Sequence, residues 1–204
     1  MNNKEKIKIF KTNIIGGKFK GRQIEIPDIG TTRSSKSILK ESFFNTLQFD
    51  IMDKNFVEVF AGSGSVGLEA LSRGASRCYF IEQNKTAFRV LTSNAKKLDS
   101  SKTTLVYGDS FEKLSIVLDM LKRDNKDKVK TYFYFDPPFS IRDGMDEIYE
   151  NSIKLIQSID IDICEMVTVE HMTSMDLPQE IGELVLKKKT KFGRSTLSYY
   201  IPKD

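Results

Sequence analysis

Two short stretches hold residue types that do chemistry together: FAGSGSVG at 60–67 and DPPF at 136–139. The first satisfies G-x-G-x-x-G through Gly62, Gly64 and Gly67. It follows a run that reads as a strand and opens one that reads as a helix, so a nucleotide-like ligand can approach bare backbone. The second sets a carboxylate, Asp136, at the lip of the aromatic run TYFYF, followed by two prolines that restrict the chain. An exocyclic base amine is a poor nucleophile because its lone pair is delocalised into the ring. Hydrogen bonds from its N–H groups to the Asp136 carboxylate and the Pro137 carbonyl favour the pyramidal, nucleophilic form. Phe139 then offers a face for a base splayed out or flipped from its helix. An in-line displacement at a methyl carbon needs no covalent enzyme intermediate, so alignment supplies most of the acceleration. Asp136 takes the proton late or passes it to water.

Three acids accompany the glycine loop. Glu58 lies in the strand just ahead of it, where a carboxylate repels a pyrophosphate and welcomes a cation. That favours S-adenosylmethionine, whose ammonium and sulfonium are both positive; pairing with a nearby Lys or Arg is the plain structural reading. Glu82 ends the second strand, twenty residues after Gly62, where an acid accepts from ribose hydroxyls or merely starts a helix. Asp109, after the third strand, meets an adenine amine or caps a helix. A nicotinamide-dependent dehydrogenase shares the glycine fingerprint, but Glu58 and DPPF count against it.

The elements that position these residues follow from periodicity. Residues 7–26 read as short β segments around Gly16-Gly17, and SKSILKESFFNTLQF places Ile38, Leu39, Ser42, Phe43, Phe44 and Leu47 at helical spacing. From Asn55 onward FVEVF, CYFIE, TLVYG and TYFYF each precede an amphipathic helix, which predicts an α/β fold with a parallel sheet and right-handed crossovers. MVTVE, ELVLKKK and STLSYYI read as further strands, the last two as an edge hairpin. In an open sheet that begins in the middle, strands one and four are neighbours and ligands bind beyond their carboxyl ends. Gly64 and Asp136, 72 positions apart, are therefore predicted to wall one crevice.

Composition sets the outer bounds. The 204 residues suit one domain with an extension, and no apolar run approaches a membrane span. The N-terminus lacks a signal-peptide pattern, so a cytoplasmic protein is expected; a monomer is expected as well. Cys78 and Cys164 are far apart and read as core thiols, with neither disulfide nor metal site suggested. His171, the single histidine, reads as structural or as part of the substrate rim, and the scattered methionines as core filler. Net charge is only +4, yet basic residues cluster at 18–22, around Arg33, Lys36 and Lys40, and at 187–194, which suits a polyanion or a solvated surface.

Together, EVFAGSGSVGLEALSRGA, the acid of YFIEQN and DPPF resemble the class I amino-methyltransferases. IIGGKFKGR, RSSKSILKESFFN, VEH and KFGRSTLSYY narrow the resemblance to the RsmD-like family, over nearly the whole chain. It implies methylation of a guanine exocyclic amine (N2) in small-subunit (16S) ribosomal RNA, with S-adenosylmethionine as cofactor and S-adenosylhomocysteine as product. It implies a Rossmann-like, mostly parallel seven-stranded sheet whose last strand is antiparallel. An RNA-contacting N-terminal β arm, 1–35, would precede the methyltransferase domain, 36–204. Glu58, Ala61, Gly62, Ser63, Gly64, Glu82 and Asp109 would line the cofactor site, and Asp136, Pro137 and Phe139 would receive the amine. Lys20, Arg22, Arg33, Lys36, Lys40 and Pro138 would contact the RNA. The sequence departs from the family where Ser34 replaces a proline and Ser37-Ile38 replace an Asp-Arg pair. An adenine-N6 methyltransferase acting on DNA or RNA is the nearest alternative, although the chain has no room for a DNA target-recognition domain. A catalytically silent RNA-binding or assembly module is the non-enzyme alternative.

Overall fold

The structure is a computed structural model that describes residues 8–28, 33–48, 50–124, 129–138 and 147–203, without the side chains of 33–36 and 124. Its elements run β1 (Ile9–Asn13), β2 (Gln23–Pro27), α1 (Arg33–Leu47), β3 (Asn55–Glu58), α2 (Ser65–Ser72), β4 (Arg77–Glu82), α3 (Lys85–Leu98) and β5 (Thr103–Tyr107). They continue with α4 (Ser110–Asp124), β6 (Thr131–Phe135), α5 (Ile148–Gln157), β7 (Cys164–Met172), β8 (Glu180–Ile181), β9 (Leu184–Phe192) and β10 (Ser195–Pro202).

β6 explains how the sheet is buried. All five of its residues are buried; Tyr132 and Tyr134 join the apolar cluster on one face, Phe133 and Phe135 that on the other. A strand apolar on both sides belongs in the middle of a sheet covered on both faces. The order is β5-β4-β3-β6-β7-β10-β9-β8, with β3 to β7 mutually parallel and β10 antiparallel to both neighbours. The seven expected strands are all there, and the two-residue β8 adds an eighth at the edge. The expected β9–β10 hairpin forms, but β10 threads between β7 and β9, so only β9 lies toward that edge. Residues of α1, α2, α3 and the β1–β2 hairpin fill one face; α4 and α5 fill the other.

The first helix shows where periodicity reads correctly and where it does not. Leu39, Phe43, Phe44 and Leu47 are buried, with the Phe43 ring 5.0 Å from Tyr134. Ile38, expected on that face, is instead 62% exposed, because one position before Leu39 turns it away from the 39, 43, 47 stripe.

One buried carboxylate gathers several of the ties between the N-terminal hairpin and the sheet domain. Glu69 of α2 is fully buried; it accepts the N–H groups of Ile15 and Gly16, each at 2.8 Å, and the Arg73 Nε–H at 2.9 Å. The Lys40 ammonium of α1 lies 3.5 Å from the same carboxylate. Gly17 sits at φ 75 where a Cβ would fall 1.9 Å from the Ser72 carbonyl oxygen, so the hairpin loop packs its bare backbone against the end of α2. Glu69→Ala leaves a buried ammonium and two N–H groups without their acceptor. We expect a loss of roughly 3–5 kcal/mol in urea denaturation, partly recovered by adding Lys40→Met; additive effects would show that the pair is not coupled.

Candidate active site

The glycine loop is held open by acids acting on backbone. Gly64, the residue before α2, is left-handed (φ 77) and supplies no capping side chain. Glu58 substitutes from the preceding strand, its two oxygens accepting the N–H groups of Val66 (3.3 Å) and Gly67 (2.8 Å). A Cβ on Gly67 would lie 2.4 Å from the Phe80 ring and 3.0 Å from the Glu58 carboxylate, so this cap requires glycine. Gly62, at φ 53, faces open space instead, with nothing within 4 Å of where its Cβ would stand. Its N–H donates to Glu82 (2.7 Å), whose other oxygen accepts the Asn84 N–H (2.5 Å). Asn84 in turn caps α3 through the N–H groups of Thr86 and Ala87, both at 3.0 Å. Glu82 thus joins the loop after β3 to the turn after β4.

Asn94, which the sequence reading missed, anchors the loop from below. Its amide donates to the carbonyls of Ser63 (3.0 Å) and Glu25 (2.8 Å) and accepts from the Glu25 N–H (2.9 Å). The available signal was a polar residue inside the apolar stripe of Ala87, Val90, Leu91 and Ala95. Asp109 accepts the Phe111 N–H at 2.9 Å, the cap of α4. Of its two sequence readings, this is the one formed between described residues.

β6 ends beside β3. Glu58 pairs with Tyr134 in register, and the Val59 N–H donates to the Tyr134 carbonyl at 2.9 Å. Asp136 follows one residue beyond the end of β6, with Pro137 buried and Pro138 half-buried. Pleat alternation carries Asp136 to the face of Glu58 and Tyr134. Burial pushes the Glu58 carboxyl up to about 8, against the opposing pull of the Gly67 and Val66 amides; the Asp136 charge adds to the rise and Lys40 opposes it. Burial also pushes the Tyr134 phenol up, reinforced by the charges of Glu170, Asp136 and Glu58, and the phenol donates to Glu170 at 2.9 Å. The glycine loop and the acid-proline turn therefore share one edge of the sheet, and acids dominate the described part between them. Phe139 lies outside the described residues, as do the side chains of Arg33 and Lys36.

Other sequence-predicted residues lie elsewhere. Lys40, expected on the RNA, is a correction: it is 5% exposed, faces Glu69, and has its pKa lowered by burial. Lys20 and Arg22 are exposed but belong to a loop packed on the last turns of α2 and α3, where Lys18 N–H donates to the Ser72 carbonyl and Arg22 to the Lys97 carbonyl. Both helices have by then run back toward the opposite edge of the sheet, so this stretch is not part of the crevice. His171 is buried between the Met172 carbonyl (2.9 Å from Nδ1) and the Ser198 hydroxyl (2.8 Å from Nε2). The carbonyl can only accept, so Nδ1 carries the proton, which is the structural role. Among the described residues no cluster of His, Cys, Asp or Glu is arranged to hold a metal ion, and no helix is long and apolar enough to cross a membrane.

A family model described as Conserved hypothetical protein 95 matches residues 12–201. The chain belongs to this family. YlbH of Bacillus subtilis (strain 168) is 28% identical over 193 residues, 92% of this chain and 97% of YlbH. Ribosomal RNA small subunit methyltransferase D of Escherichia coli (strain K12) is 31% identical over 144 residues, 71% of this chain and 66% of that protein. The solved structure of Escherichia coli yhhF has a TM-score of 0.73 at 26% identity, covering 95% of this chain and 99% of that one. An RNA methyltransferase from Salinibacter ruber, solved with S-adenosyl-L-homocysteine, shares the fold at TM-score 0.52 and 12% identity, covering 85% of this chain and 95% of that one. The RsmD-like resemblance is thus borne out across the family's span.

The raised Glu58 carboxyl has a measurable consequence. In the unfolded chain it titrates near ~4.3. Stability from the protonated folded form is complete below that pH and is lost as the pH rises to about 8. Between about pH 5 and about pH 8.5, urea titration should show the wild type losing roughly 4 kcal/mol more than Glu58→Gln. Parallel pH profiles for the two proteins would contradict the burial argument.

Proposed function

We propose that this protein transfers a methyl group from S-adenosylmethionine to the exocyclic N2 amine of a guanine in small-subunit ribosomal RNA. One observation carries the reading: the loop with an open-faced Gly62 and the turn with Asp136 leave neighbouring parallel strands at the same sheet edge, on the face of Glu58. Family membership and the named activity of the Escherichia coli relative support the RNA substrate.

The residues present fit the cofactor. A positive-φ glycine with nothing before it leaves room for a ligand against backbone, and the buried carboxylate beside it suits a cation. Glu58, Ala61, Gly62, Ser63, Gly64, Glu82 and Asp109 would hold it. S-adenosylmethionine supplies an electrophilic methyl on its sulfonium and leaves as S-adenosylhomocysteine. A cation near Glu58 favours the carboxylate form, so binding at neutral pH should release a proton from that side chain.

Asp136 accepts one amine N–H and the Pro137 carbonyl accepts the other, which localises the nitrogen lone pair toward the methyl carbon. The two prolines keep these acceptors from relaxing. Phe139 stacks on the base, and Pro138 closes the rim. Asp136 takes the departing amine proton or hands it to water once the N–C bond has formed. The buried Tyr134–Glu170 pair stiffens the sheet edge behind the turn. Ribosomal RNA makes the cytoplasm the expected compartment.

On small-subunit particles lacking the mark, Asp136→Asn is expected to lower kcat by about 10²- to 10³-fold. Calorimetric affinity for S-adenosylmethionine should stay within a few-fold of wild type. Mass spectrometry of the product nucleosides should report N2-methylguanosine. An unchanged rate removes Asp136 from the chemistry, and N6-methyladenosine as product transfers the reading to adenine.

A further inference from the structure

Of the basic stretches whose side chains are fully described, the one at 187–194 reaches the edge of the crevice with exposed charge. The pairing runs Phe135, Val169, Ser198, Lys189 across β6, β7, β10 and β9, and two residues further along it runs His171, Thr196, Lys191. Lys191 therefore stands on the same sheet row as Pro137, three strands from β6, or about 15 Å at the usual strand spacing. The turn that follows is pinned to the exit of β7: the Thr173 N–H donates to the Arg194 carbonyl (2.8 Å), and the Thr173 hydroxyl donates to the Gly193 carbonyl (3.0 Å). Gly193, at φ 58, makes the reversal without strain.

Two lysines on this side of the sheet are neutralised. Lys189 is paired with Asp176 and Lys203 with Glu180. Lys187, Lys191 and Arg194 are exposed and have no carboxylate partner among the described residues. At the crevice itself the charges of Asp136 and Glu170 repel phosphate, so the backbone of a strand whose base enters there must pass to one side. A fixed turn carrying unpaired cations on the same edge is where it can go.

We infer that the β9–β10 turn, through Lys191 and Arg194, docks the phosphate backbone of the RNA flanking the target base. The inference rests on the methyl-transfer reading above and adds a surface outside the crevice. It also separates the turn from Lys20 and Arg22, which lie toward the opposite edge.

The test measures methyl transfer to unmarked small-subunit particles across a salt series, and filter binding of protein-free small-subunit RNA. Wild type, Lys191→Ala/Arg194→Ala and Lys20→Ala/Arg22→Ala are compared. The turn variant should show KM raised about tenfold, kcat within about twofold, and a salt slope of log(kcat/KM) shallower by about 1.4, two single-strand phosphate contacts. Its RNA binding should weaken in parallel, and the exchange Lys191→Arg/Arg194→Lys should restore both. A turn variant with wild-type KM and slope, or the whole loss appearing in the Lys20/Arg22 variant, overturns the inference and leaves the activity standing. A loss confined to particles, with RNA binding intact, assigns the turn to a protein partner and overturns it too. A wild type that methylates no RNA overturns the activity and this surface with it.

Discussion

Parallel strands joined by right-handed crossovers all end at one edge of their sheet, and the pairing of β3 with β6 brings the glycine loop and the acid-proline turn together there. The Val59 N–H donating to the Tyr134 carbonyl links the two strands at that edge. Helix α2 leaves β3 toward one face of the sheet, while α5, which follows β6, packs on the other. Ligands gather at such a reversal because the two loops diverge and leave a gap that no crossover fills. Without that pairing, Gly62 and Asp136 would have no reason to be neighbours.

The gap is framed by carboxylates that act first on the protein. Glu58 replaces the missing cap of α2, Glu82 holds Gly62, and Asp109 caps α4. Each fixes backbone that would otherwise be free to rotate, and each sets a carboxyl group at the crevice. Buried acids in one place need a counterweight. Lys40 supplies part of it from beneath, acting on both Glu69 and Glu58, which also links helix α1 to the glycine loop. A cationic ligand would complete the balance, so the frame that builds the loop also selects the charge of what binds there.

Much of this was legible in sequence where one local rule governed. The alternation of strands and helices, the glycine loop at a strand-to-helix junction and the acid-proline turn all depend on spacing within a few residues. Ile38 failed because the helical stripe beside Leu39 is narrower than the apolar run that suggests it. Asn94 and Glu69 were missed because their partners, Glu25, Ser63, Ile15 and Gly16, are more than thirty positions away. Asp109 had two readings of equal local merit, and the hydrogen bond from the Phe111 N–H forms the cap without deciding the other.

The sequence by itself determined the order of elements, the residues able to do chemistry and the expectation that two remote loops meet, since periodicity, glycine geometry and crossover handedness are short-range or topological. Tertiary structure decided what each charge does. Lys40, Lys20 and Lys191 look alike in a string of letters, yet one is buried on Glu69, one is packed with a loop near the ends of α2 and α3, and one stands exposed at the carboxyl edge of the parallel strands. Their roles diverge because solvation and ion pairing depend on which distant segments exclude water around a side chain, and only the folded chain brings those segments together.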